Sequence, residues 1–154
     1  MLFDLVRAAP STFFDSPNSD TLTLVDVRTL SPSQFASVPT IERARALIRR
    51  THLIHMPIWQ PDVGLARLFH EHHAVMVIGL SDLLPLPPAE LAKRLAHTAH
   101  MAKMVRHFGG SVRLASLAKT PLELKNELEL ACIGERLGLS ARLALWAIRE
   151  NPNQ

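Results

Sequence analysis

The chain has 154 residues, 47% apolar and 20% charged, with one cysteine and no tyrosine. That length supports one core burying roughly 70% of the unfolded surface. The composition excludes general disorder, a disulfide framework, a cysteine-ligated zinc site and a bilayer-spanning segment. The net charge of +3 is concentrated, because residues 91–122 carry Lys93, Arg94, Lys103, Arg106, Arg113 and Lys119 and no carboxylate.

The first residues, Met1 to Phe14, read as a short helix or an arm; Asp4, Arg7 and Pro10 interrupt the apolar pattern a signal peptide needs. A cytoplasmic protein without a membrane partner is the expectation. Asp15 to Asp20 is a turn cluster, and Thr21 to Arg28 alternates β-branched residues as a strand does. Ser31 to Phe35 reads as a loop. Thr40 stands at an N-cap position, and Ile41, Ala44, Leu47 and Ile48 fall on one helical face. His52 to Trp59 reads as a second strand, with Pro57 hinting at a sheet edge. Leu65 to Leu80 is readable either as a buried strand, from Val75, Val77 and Ile78, or as a helix starting at the histidines.

Ser81 to Pro88 is proline-rich and divides the chain. Beyond it the pattern reads as helical throughout: Ala89 to Phe108 ended by Gly109-Gly110, a short helix over Ser111 to Ala118, Thr120 to Leu137, and Ala141 to Glu150. The expected fold class is α+β, with a mixed α/β lobe over residues 1–84 and an all-helical lobe over residues 85–154.

Three features could carry function. At 100° per residue, Lys93, His97, His100, Lys103 and His107 line one side of the long helix, opposite Leu91, Leu95, Thr98, Ala102 and Val105. Such a stripe is either a solvated face or a surface for an anionic partner. Glu129 to Arg149, with Gly138 at a turn and Ser140 as the next cap, has a helix-turn-helix layout in which Arg142 and Arg149 reach DNA, though any helical hairpin with a glycine turn has the same layout. His70-Glu71-His72-His73 contains ligand types for a divalent metal but lacks the H-E-x-x-H spacing, and no metal site is expected there. No Ser or Cys has a catalytic signature, so an enzyme is the less favoured reading.

The order of segments resembles the amino-terminal domain of ParB/KorB-type partition proteins, whose fold is shared with sulfiredoxin-like proteins. Ser31-Pro-Ser-Gln34 corresponds to that family's Asn-Pro-x-Gln-Pro-Arg box, Thr51 to Ile58 to its strand, and His70 to His73 to its Gly-Glu-Arg-Arg box, which opens a helix. The last box has histidines where the family has its glycine and arginines, and Cys132 lies outside the box in which sulfiredoxins carry their cysteine. The resemblance implies a DNA-binding regulator or partition protein of plasmid type. Double-stranded DNA is its partner, held through Lys93, Arg94, Lys103, Arg106, Ser140, Arg142 and Arg149. It also implies a phosphate site at Gln34, His70, Glu71, His72 and His73, where a nucleotide with magnesium would bind. Two alternatives are a nucleotide-binding protein acting on plasmid conjugation, as a fertility inhibitor or weak nuclease, and a helical adaptor of a larger assembly such as a secretion apparatus. A protein partner or a homodimer is compatible with each.

Overall fold

The structure, a computed structural model, describes residues 35–83, 85–117 and 127–140. Four strands alternate with four helices: β1 (Phe35–Ser37), α1 (Ile41–Leu47), β2 (Leu53–His55), α2 (Val63–Glu71), β3 (Val75–Gly79), α3 (Pro88–His107), β4 (Ser111–Ala115) and α4 (Glu127–Arg136). The strands form one parallel sheet in the order β1-β2-β3-β4. Each strand therefore pairs with its neighbour in the chain, and each crossover carries a helix.

All four helices pack on one face of the sheet. Alternate side chains of the strands, Ile54, Met76, Ile78, Val112 and Leu114, meet Ala44 and Ile48 after α1, Leu65, Ala66 and Phe69 of α2, Met101, Ala102 and Val105 of α3, and Leu130 of α4. Burying a side chain such as Leu65 or Phe69 contributes about 2 kcal/mol. The opposite face carries Leu53, Val77 and Ala115, packed with Leu117 after β4. Consecutive order with helices on a single face is the winding of a (β/α) barrel, not of a doubly wound sheet, whose order reverses.

Local chemistry sets the helix limits. Thr40 caps α1, its side chain accepting from the Arg43 amide. Asp62 caps α2, accepting from the Leu65 amide at 2.6 Å. α3 begins with Pro88, where a missing amide hydrogen costs nothing. It ends at Gly109, whose φ of +83° turns the chain directly into β4.

Several expectations are corrected. Ser111–Ala115 is a strand, not the start of a short helix, and it pairs with β3 along its whole length, so the sheet continues across residue 84 into the segment read as all-helical. Of the two readings of Leu65 to Leu80, the buried strand is present as Val75–Gly79, whereas the helix precedes the histidines and does not start at them. His70 to His73 lies at the end of α2 and does not open a helix, because Asp62 starts that helix upstream and His73, with φ of +51°, stops it. Pro57 follows β2, which sits between β1 and β3, and so marks the end of a strand, not an edge. The strand expected over Thr21 to Arg28, Gln34, and the second half of the helix-turn-helix with Arg142 and Arg149 lie outside the described residues.

Candidate nucleic-acid interface

In a parallel sheet every strand begins at the same end. The register pairs Leu53 with Val75 and Val75 with Ser111, so the turns entering β2, β3 and β4 lie side by side. The Val75 amide donates to the His52 carbonyl at 2.7 Å, which ties two of these turns together. His70 lies against the third, since a Cβ on Gly109 would stand 3.1 Å from its Nδ1.

These turns and the helix ends that feed them collect the cations. Arg49, Arg50 and His52 precede β2; Arg67, His70, His72 and His73 lie around the end of α2; Lys103, Arg106 and His107 occupy the end of α3. All are exposed except His72 and Arg106, which are half-buried. Glu71 is the carboxylate these segments contribute. A bland explanation is that cations complement helix C-termini. Each terminus presents about −0.5 charge, so three supply roughly −1.5. Arg49, Arg50, Arg67, Lys103 and Arg106 less Glu71 leave a net of four permanent positive charges, before any histidine is protonated. The dipoles absorb less than half of that surplus. This end of the sheet is a basic pole.

The pole also has a flat element. The Arg67 guanidinium carbon sits 5.1 Å above the centroid of the Phe108 ring, and His107 meets that ring edge-on at 5.3 Å. A guanidinium already held over an aromatic face keeps its outer face and several N–H donors for a phosphate or a base.

The other end of the sheet is built differently. The carboxylates of Asp62, Asp82 and Glu90 each have a cationic or imidazole partner. Arg45 donates to both oxygens of Asp62 at 2.8 Å. Burial alone would push Asp62 up, but the Arg45 bond and the Leu65 amide outweigh it and hold the carboxyl below its ordinary range. Arg94 bonds Glu90 at 2.9 Å and lowers that carboxyl's pKa. His55, fully buried, lies between Ser37 Oγ at 2.9 Å from Nδ1 and Asp82 Oδ2 at 2.9 Å from Nε2. Gly79 makes room for the ring, since a Cβ there would stand 2.9 Å from Nε2 and collide with Leu117.

The long helix presents its two faces as its periodicity predicts. Lys93, His100, Lys103 and His107 are exposed and His97 half-buried, while Thr98, Ala102 and Val105 are buried. Lys103 and His107 join the basic pole, whereas Lys93 and Arg94 sit near the other end, where Arg94 is engaged by Glu90. Arg113, counted in the basic segment, is buried in β4. Cys132 is exposed. Ser140 is exposed beyond the turn at Gly138, whose φ is +80°. The phosphate site implied at His70 to His73 is at a helix C-terminus, whose dipole disfavours anions, so any phosphate held there is held by side-chain charge alone. Among the described residues no group of three or more His, Cys, Asp or Glu side chains is arranged to hold a metal ion. Arg49, Arg50 and Arg67 were not singled out by sequence spacing; the signal that finds them is the register of the sheet.

No protein-family profile matches the chain, and no curated protein matches it. Among solved structures, a chain of an archaeal ribonuclease P, determined by cryo-EM with mature tRNA, is similar with a TM-score of 0.66 and 19% identity over 73% of this chain. The match spans 53% of that chain, so this protein corresponds to about half of its neighbour's length. The likeness is one of fold.

Proposed function

We propose that this chain is a nucleic-acid-binding protein that grips RNA phosphates with its basic pole, as one protein component of a ribonucleoprotein. The observation that carries the reading is the gathering of Arg49, Arg50, Arg67, Lys103 and Arg106 with five histidines on one edge of the sheet, opposed by Glu71. A surplus of that size exceeds what helix ends require and suits a phosphodiester backbone. The similar chain belongs to a ribonuclease P bound to tRNA, which favours RNA as the nucleic acid. The proposal assigns the chain binding and positioning, not chemistry.

A ParB-type regulator of duplex DNA is the second reading. It rests on α4, the left-handed Gly138 and exposed Ser140, the first half of a helix-turn-helix layout. Fluorescence anisotropy with a folded tRNA and with a DNA duplex of equal charge, at low salt, separates the two. Tighter binding of tRNA, weakening steeply as salt rises, is the expected result. A clear preference for the duplex would replace the first reading by the second, and no binding to either at low salt would remove both.

A further inference from the structure

We propose that the basic pole is proton-gated, so that its hold on RNA tightens as the pH falls through the imidazole range; this rests on the RNA-binding reading above. Of the eight histidines in the chain, His52, His70, His72, His73 and His107 lie at this pole. They come from the three adjoining segments that enter β2, β3 and β4, and four of them are exposed, with His72 half-buried. Imidazole is the side chain that ordinarily changes charge between about pH 5 and 8. Five such rings can more than double the net of four permanent positive charges at this edge.

The charged groups on the segments around these rings are mostly cations. Arg49 and Arg50 adjoin His52, Arg67 and Glu71 share α2 with His70, and Lys103 and Arg106 share α3 with His107. On these three segments the charged residues other than Glu71 are cations, α4 ends on the opposite pair Glu135 and Arg136, and three helix C-termini point here. Each phosphate near a ring stabilises the charged form, so binding takes up protons and protons promote binding. Histidines scattered over a surface would show no such concentration. His55 stands apart, buried between Ser37 and Asp82, and His97 and His100 lie along the middle of α3.

The test is the salt dependence of binding to a single-stranded oligouridylate at two pH values, since uracil does not titrate in this range. Each added phosphate contact steepens the slope of log K against log salt by about 0.7 for single strands. Complete protonation of the five rings predicts a slope steeper by up to about 3.5 at pH ~6 than at pH ~8, and an affinity at least about tenfold higher at low salt. Replacing all five rings (His52→Gln, His70→Gln, His72→Gln, His73→Gln and His107→Gln) should abolish the steepening between pH ~8 and pH ~6. A His97→Gln/His100→Gln variant should retain it. Because most of the rings are exposed, helix content by circular dichroism verifies that the variants fold; a pair limited to His70→Gln/His107→Gln should lose part of the steepening. Binding that is equal in slope and affinity at the two pH values overturns this inference and leaves the RNA reading intact. So does steepening that survives in the five-fold variant. Absence of binding at both pH values overturns both.

Discussion

The two ends of the sheet use the same residue types to opposite effect. At the end where strands finish, three carboxylates are internally answered: Asp62 by Arg45, Glu90 by Arg94, and Asp82 by His55. Where strands begin, Arg49, Arg50, Arg67 and Lys103 are gathered and exposed. Barrel-like (β/α) folds ordinarily place ligands at the finishing end and stability at the beginning end. In this chain the ion pairs lie at the finishing end and the basic pole at the beginning end, which the proposed function makes the binding end.

That contrast can be broken by mutation. The largest effect should come from His55→Ala, which leaves Asp82 and Ser37 without the ring between them and opens a cavity; about 3 kcal/mol of stability should be lost in denaturant unfolding. At low temperature the folded fraction should still bind RNA with unchanged affinity, and a parallel loss of affinity would mean the ends are not independent. Next, Arg49→Glu/Arg50→Glu/Arg67→Glu should weaken RNA binding by about 100-fold, near 2.7 kcal/mol, with little change in unfolding midpoint. The double reversal Arg43→Glu/Lys93→Glu at the other end should change affinity by less than about threefold; a loss equal per reversed charge in both sets would reduce the pole to general net charge.

Smaller effects sharpen the stabilising end. Gly79→Ala should cost about 2 kcal/mol, because the new Cβ meets both Leu117 and His55 and the core must shift to admit it. Asp62→Ala removes the α2 cap and should cost about 1 kcal/mol by the same measurement. Asp62 also gives a pH signature. Its folded pKa is lowered, so its contribution is complete above the ordinary carboxylate range and disappears as the pH falls through the lowered value. Asp62→Asn should flatten that acid limb of the stability curve, by well under the full cap energy because Arg45 is exposed to solvent. An unaltered limb would show that the carboxylate's charge contributes nothing.

The parts of the fold legible in sequence are those whose cause is local. Thr40 with its apolar face gave α1, and Pro88, the periodic apolar positions and Gly109 delimited α3 almost to the residue. β4 was hidden because Ser111-Val-Arg-Leu-Ala115 has a single β-branched residue and a central arginine that is in fact buried. The alternation is present, with Val112 and Leu114 toward the helices and Arg113 and Ala115 on the other face, yet every one of these four is inside. The basic stripe of α3 was visible from its spacing. The pole was not, since Arg49, Arg67 and Lys103 are far apart in the chain and become neighbours only through parallel register. The pairing of His55 with Asp82 is hidden for the same reason: a whole crossover separates them.

The unbroken order of the strands also bears on how the chain is made. No strand among the described residues waits for a distant partner. β2 can dock on β1 as soon as α1 is formed, then β3 on β2, and β4 on β3, with Leu53 and Val75 only 22 positions apart and Val75 and Ser111 36. Each addition closes one loop of modest entropy and shields the edge left by the last. Such a sheet can grow in the direction of synthesis, one strand and one helix at a time, each new strand covering the edge left by the last.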